Sequence, residues 1–419
     1  MTAWRVIALL AVGACVTHAP PALERALPGR VAQDAGDRTI RVLLSSNSQT
    51  ARIASPDGLM LTERDGSLVA RVLANQVWRI EHQGHQVRAI RPDGVGTVWR
   101  EGPVIAHAGA NALLSVDSKP YRGNVAFSGT DSGLSVVNVV KIDDYLRGVV
   151  PLEIGTTSPA DSAAVQAQAV TARSYAYIHL STDARQAYDV TGGTLDQVYG
   201  GVAVETPVAS EAVESTRTQV LKFAGRVVNA PYHSTCGGST AAASEIWRSN
   251  DEPYLQRVSD RIPGSGRYYC DLAPRFRWTR TIDGPALTAA LARYLPTYTA
   301  VPNRTPGTAR EVTIGSHTPS GRVGTVTITT DRGNFVVRGN DVRFVLRPPG
   351  GEILNSTYFS IESASAADGS ITRLTLHGRG YGHGVGMCQS GAIGRARAGQ
   401  DYRTILRTYY PGTTVGAAE

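Results

Sequence analysis

From residue 38 onward the chain is written mostly in short runs where apolar and polar residues alternate. "RTIRVLLSS", "SLVARVLA", "QVWRIEHQGHQVRAI" and "GTVWREGPVIA" follow one another at close spacing. Asp-Gly and Gly turns separate them, which predicts a β-rich segment ending near Ala112. The stretch "KPYRGNVAFSGTDSGLSVVNVVKIDDYLRGVVPLEIG" predicts further strands that end in an apolar, hairpin-like run. The period then changes. From Ala160 to Leu180 the chain is Ala-rich without Gly or Pro, and Ser158, Pro159 and Asp161 stand where a helix start wants them. Val165, Ala169, Ala172 and Ala176 fall on one small-residue face, suited to close packing, while Gln166, Arg173 and Tyr177 fall on another.

Beyond the helix, "QVLKFAGRVVNAPYHSTCGGST" reads as strand, turn and strand, and residues 284–297 as a second helix. "REVTIG", "GRVGTVTITT", "GNFVVRG" and "YFSIES" alternate as strands, and "DYRTILRTYYPGTTV" as a short helix stopped by Pro411-Gly412. The fold class is α+β: strand-rich, with one long buried helix, a β-rich N-terminal part and a groove. The division predicted is a lipoprotein-type signal peptide at 1–15, a Pro- and Ala-rich linker at 16–38, a β-rich domain at 39–115 and a larger domain at 116–417.

Composition changes this picture little. The chain has 419 residues and a formal charge of +7, carried almost wholly by arginine, since Lys119, Lys141 and Lys222 are its only lysines. A basic balance suits an acidic polymer. No basic stripe interleaved with aromatics is present, so nucleic acid is not an expected partner. At the start, Arg5 precedes a short apolar run from Val6 to Val12, and Val12-Gly13-Ala14-Cys15 has the form of a lipidation signal. The expectation is export to the cell envelope and a lipid on Cys15. Cys236, Cys270 and Cys388 remain, an odd number that fits a disulfide plus a thiol, or a shared metal site.

Three segments carry chemistry. In "DDYLRGVVPLEIG", Glu153 lies among apolar residues, surroundings that raise a carboxyl pKa and suit a general acid; a surface glutamate is the plain alternative. In "YHSTCGGSTAAASEIW", His233 and Cys236 are spaced for a Cys–His pair or for zinc; a tight turn with a Cys236–Cys270 disulfide is the plainer reading of the cysteine. In "HGRGYGHGVGMCQSGA" every second residue from Gly378 to Gly386 is glycine, without the spacing of a phosphate loop. An extended run of this kind has one bare backbone face and one bearing Arg379, Tyr381 and His383, a floor on which a glycan could lie; a close-packed strand crossed by another backbone is the alternative.

"VVNVVKIDDYLRGVVPLEIG", "AVQAQAVTARSYAY", "YHSTCGGSTAAASEIW", "GNDVRFVL" and "GRGYGHGVGMCQSGA" occur in an order that resembles the sporulation stage II protein D and amidase-enhancer (SpoIID/LytB) family, over roughly residues 39 to 417. The resemblance implies an extracytoplasmic protein acting on peptidoglycan strands that lack stem peptides. The bond cut would lie between N-acetylmuramic acid and N-acetylglucosamine, leaving an anhydro-muramyl end. It implies catalytic roles for Glu153 and Arg173, and substrate contacts from Gln166, His233, Ser234, Arg379, Tyr381 and His383. Other members resemble enhancers of a cell-wall amidase, which makes an amidase a possible partner. The chain departs from the pattern at Ile154-Gly155, where Met-Pro is frequent, at Gln166, where lysine is, and at Ser390, where an aromatic is. Some relatives resemble zinc proteins using a His and two nearby cysteines. Here no cysteine follows Cys236 closely, so a metal site would need Cys270 or Cys388 brought in by the fold. No cofactor and no metal are assigned from the sequence.

Overall fold

The computed structural model describes residues 38–418, apart from 110–111, 184, 249–251 and 348–349. The leader, Cys15 and nearly all of the linker lie outside the described residues. The chain is α+β and strand-rich, as its patterning implies. One sheet orders Val190–Thr191, Thr39–Ser48, Gly133–Lys141, Asn124–Thr130, Val104–Ala108, Leu59–Thr62 and Leu68–Val72; its strands come from both sides of residue 115. A second orders Lys119–Tyr121, Leu114–Val116, Thr50–Ala54, Trp78–Gln83, Gln86–Ile90 and Arg100–Glu101. Alternation puts Ile40, Val42, Phe127 and Val136 of the first sheet, and Ile53, Ile80 and Val87 of the second, into one shared core. Gly133–Lys141 is buried almost throughout because its opposite face is also apolar: Val137 clusters there with Ile105 and Ala126 of neighbouring strands, and Leu43 and Tyr188 pack against them.

The hairpin-like run expected around Glu153 is instead two short helices, α1 (Ile142–Arg147) and α2 (Val150–Ile154). The local chemistry explains this. Asp143 and Asp144 sit in the first turn of α1 and Arg147 in its last, matching the helix dipole. Pro151 occupies the first turn of α2, and Gly155 ends it with a left-handed φ of 67°. Apolar content alone cannot distinguish such turns from strand.

The long helix α3 (Ser162–His179) runs where expected, after a single 3-10 turn at Pro159–Asp161. Val165, Ala169, Ala172 and Ala176 are all buried on it. Asp161 does not cap it. Its carboxylate accepts Thr156 Oγ1–H (2.7 Å) and both Nε–H (2.7 Å) and Nη2–H (2.9 Å) of Arg397, tying the start of α3 to the helix Gln389–Arg397. The shared face of Gln166 and Arg173 meets α4 (Pro207–Ser215) and the residue after it.

A second core is built from the sheets Arg277–Asp283, Ile371–Arg379, Phe359–Ser365 and Ala309–His317, Val323–Thr330, Gly333–Arg338. The helix Gly284–Tyr298 covers it with Leu287, Leu291 and Leu295, and Asp283 caps that helix through Ala286 N–H (2.8 Å). The helix Tyr402–Tyr409 and the strand Thr414–Ala417 return to the first core, the strand pairing with Gln219–Phe223. Among the described residues no helix is long and apolar enough to cross a membrane.

Candidate active site around Glu153

Glu153 projects from α2 and is half-buried. Val198 N–H donates to its Oε1 (3.0 Å), and the Tyr232 hydroxyl lies near the carboxylate and favours its charged form. Burial is the largest influence on this carboxyl and lifts its pKa above the ordinary glutamate range; the Val198 bond and the Tyr232 hydroxyl pull the other way and do not cancel it. A directed chain of donors stands behind Tyr232. Tyr145 O–H donates to Gln197 Oε1 (3.2 Å), and Gln197 Nε2–H donates to the Tyr232 hydroxyl oxygen (3.0 Å).

The main chain of Glu153 is held too. Gln389 Nε2–H donates to the Glu153 carbonyl (2.9 Å) and to Gln168 Oε1 (3.2 Å), so α2, α3 and the head of the helix Gln389–Arg397 meet at one buried amide. A second carboxylate, Asp196, stands two residues before Val198 in the same loop. It is engaged by Tyr175 O–H (2.8 Å) and by the Thr191 N–H and hydroxyl (2.8 Å each). Tyr145, Gln168, Tyr175, Asp196, Gln197, Tyr232 and Gln389 were not singled out from the sequence. Five of them lie inside quoted motifs, yet a buried Tyr or Gln carries no signal beyond core packing.

The other candidates divide by place. Arg173 is 1% exposed and does not touch Glu153 through any of its bonds. Its Nε–H meets Asp143 Oδ1 of α1 (2.9 Å), and the rest of its fork donates to Val213 O (3.0 Å), Gln219 O (3.1 Å) and Thr216 Oγ1 (3.4 Å). Gln166 donates to Ser215 Oγ (3.1 Å) on the same side of α3. Ser234 offers its carbonyl to Ser390, which donates both N–H (3.0 Å) and Oγ–H (2.9 Å).

His233 and His383 come together, with ring centroids 5.4 Å apart, and His383 also packs on Trp247 at 5.0 Å. Val385 N–H donates to His383 Nδ1 (3.1 Å), which leaves the proton on Nε2 for the Tyr232 carbonyl (2.9 Å). His233 Nδ1 faces Val385 O (3.1 Å), and burial pushes its pKa down to about 3. Burial lowers His383 strongly as well, so both rings are neutral. They bind the Gly-rich segment to the strand that carries Tyr232.

The Gly-rich run is not an extended floor. The strand Ile371–Arg379 ends before it, and Gly380, Gly382, Gly384 and Gly386 take positive φ values of 83°, 113°, 92° and 70°. A Cβ would lie 2.9 Å from Thr235 O at Gly380, 2.7 Å from the His233 side chain at Gly382 and 2.0 Å from Pro231 O at Gly386. The glycines exist to let residues 231–236 cross closely, which is the close-packing alternative. Tyr381 exchanges both main-chain bonds with Thr235 (3.0 and 2.8 Å), and Arg275 stands over its ring at 4.3 Å. Arg379 stacks on the Tyr358 ring at 4.0 Å and donates to its hydroxyl.

Cys236, Cys270 and Cys388 are free, buried thiols, and the Cys236–Cys270 sulfurs are 3.5 Å apart, in contact but unbonded.

A half-buried Glu153 on a short helix, held by the Val198 amide with Tyr232 and Asp196 nearby, is the centre of the candidate site of this α+β protein. Comparison with known proteins agrees with the motif order. Residues 130–223 match the family model "Stage II sporulation protein", and 266–386 match a domain of unknown function, DUF8618. An uncharacterised protein of Brachyspira hyodysenteriae is 30% identical over 296 residues, 70% of this chain and 72% of that one. The amidase enhancer of Bacillus subtilis is 30% identical over 334 residues, 72% of this chain but 45% of its own length. Stage II sporulation protein D of the same species is 28% identical over 299 residues, 68% and 76% of the two chains. The chain belongs to the SpoIID/LytB family.

Proposed function

We propose that this chain acts on the bacterial cell wall, as a lytic transglycosylase of peptidoglycan strands freed of stem peptides. The observation that carries the reading is Glu153: a carboxyl whose pKa burial raises above the ordinary glutamate range, held by Val198 N–H beside Tyr232. A glycosidase that uses water needs two carboxylates at a set separation. Here one suffices. Glu153 gives its proton to the glycosidic oxygen as the bond to muramyl C1 breaks, and N-acetylglucosamine departs as an alcohol. The carboxylate then takes the proton of the muramyl 6-hydroxyl while that oxygen bonds to C1. The anhydro ring closes without water and Glu153 returns to its acid form. Arg173 acts at a distance as a positioning residue, since it locks α1 and α4 onto α3 and α1 leads directly into α2. Tyr381, Arg379, His383, Gln166 and Ser234 are proposed to border the glycan path, and His233 to support it. Export and a lipid on Cys15 would put the chain where the glycan is.

The second reading is a wall-bound enhancer of a separate amidase, favoured by the relative of that name. Digestion of stripped and unstripped strands by the wild type and by Glu153→Gln, read by mass spectrometry, separates the two. Anhydro-muramyl ends from stripped strands, absent with the variant, support the transglycosylase. Hydrated ends would point to a hydrolase, with Asp196 the first residue to test as its base. Binding without cleavage by either protein would move the reading to the enhancer.

A further inference from the structure

The residues 236, 260, 270 and 388 are far apart in sequence, yet Cys236 Sγ, an Asp260 oxygen, Cys270 Sγ and Cys388 Sγ all lie within 4.8 Å of one another. All four side chains are buried, with 0% exposure. We propose that they form a closed, structural zinc site with Cys3Asp ligation.

The dimensions fit the ion. Zinc–sulfur bonds of about 2.3 Å in a tetrahedron put neighbouring sulfurs roughly 3.8 Å apart, and a sulfur–oxygen edge is slightly shorter. Cys236 Sγ stands 3.5 Å from Cys270 Sγ and 3.7 Å from Asp260 Oδ2. The surroundings are those of ligands already aimed. Asp260 Oδ1 is held away from the cluster by Tyr409 O–H (2.7 Å) and the Arg395 fork (3.1 and 3.3 Å), which turns Oδ2 toward the cysteines. Cys388 Sγ accepts N–H groups from Cys236 (3.2 Å) and Gly391 (3.3 Å), donors that favour a thiolate. Gly391 has no side chain because a Cβ would meet Tyr409 Oη at 2.1 Å and Asp260 Oδ2 at 2.4 Å.

Charge closes the argument. Three thiolates and a carboxylate around Zn2+ leave a net double negative charge, costly in a dry interior unless offset. Arg395 is paired to Asp260, and Arg322, 0% exposed, lies within electrostatic reach of Cys236 and Cys388 while donating to Cys236 O (2.8 Å). Four protein ligands leave no open position, so the ion would staple and not catalyse. What it would staple is the frame of the Glu153 pocket: Cys236 follows the Tyr232–His233 strand, and Cys388 precedes Gln389. The ligand set is not the His with two close cysteines that some relatives resemble. The proposal is independent of the transglycosylase reading, because its test measures metal and not cleavage.

The experiment is elemental analysis of the full chain purified without chelator, with cysteine modification mapped by peptide. We expect one zinc per chain and Cys236, Cys270 and Cys388 shielded from alkylation until the ion is chelated. Cobalt added to the chelated protein should give the intense visible bands of tetrahedral, thiolate-bound Co2+. Tyr409→Phe, which keeps the ring but removes the shortest of the three bonds to Asp260 Oδ1, should weaken zinc binding by roughly tenfold. Cys270→Ser should abolish the cobalt bands. A metal-free protein with a Cys236–Cys270 cross-link would overturn the proposal. So would free thiols that give no tetrahedral cobalt spectrum, or a Tyr409→Phe protein with unchanged zinc affinity.

Discussion

Glu153 has a folded pKa above the ordinary glutamate range because the folded protein disfavours its charge. The folded chain therefore binds more protons at this position than the unfolded chain between the two pKa values, and stability falls as pH rises through that window. Above it the cost of the buried carboxylate is fully present. Glu153→Gln removes the charge, so its melting temperature should exceed that of the wild type in neutral buffer. The gap should close in acid, where Glu153 is neutral in both states. Thermal scans of both proteins across acidic to neutral buffers check this, and a gap that widens in acid would contradict the assignment. The Tyr232 hydroxyl lowers the same pKa. Tyr232→Phe should raise it further, because a neighbour that favours the charged form is lost. In strand cleavage the acid form is the active one, so the alkaline limb of the rate profile should move to higher pH. A profile that keeps its shape while its height falls would mean Tyr232 is only packing.

At the scale of elements, α3 is held to its neighbours by Arg173, and the cost of losing it can be stated. Removing one partner of a buried ion pair costs about 3–5 kcal/mol, because the other partner and the carbonyls it served are left unpaired. Arg173→Ala should lie in that range by denaturant unfolding, whereas Gln166→Ala, which loses one exposed bond to Ser215, should stay within about 0.5 kcal/mol. Two equal and small losses would refute the hub role. The contrast also shows what patterning could reveal. Periodicity placed α3, its buried small-residue face and the common direction of Gln166 and Arg173, because these depend on one helix alone. It misplaced α1 and α2, since five or six residues are too few to display a helical period, and it gave Asp161 a capping role that Arg397, 236 positions later, takes over. The glycine alternation was visible and its first reading was not: period two suggests a strand, but four residues with positive φ cannot stay in one. The surroundings of Glu153 were legible only at their centre, because Val198, Tyr232 and Gln389 come to it from segments that no local pattern links.

For the whole molecule, the arginine-rich surplus has meaning only with a partner of opposite charge. The formal charge of +7 should attract a strand bearing one lactyl carboxylate per muramic acid, and that long-range part of binding is screened by salt. Contacts with the sugar rings are short-range and respond little to ionic strength. The two contributions separate on two polymers. Retention on stripped peptidoglycan strands should weaken as salt rises through the physiological range, while retention on a chitin-type polymer, with the same glucosamine units and no carboxylates, should be weaker at low salt and nearly flat. Co-sedimentation with each polymer over a salt series makes the comparison. Equal salt slopes on both would mean that the charge does not read the lactyl group, and recognition would then rest on short-range contacts with the sugar rings.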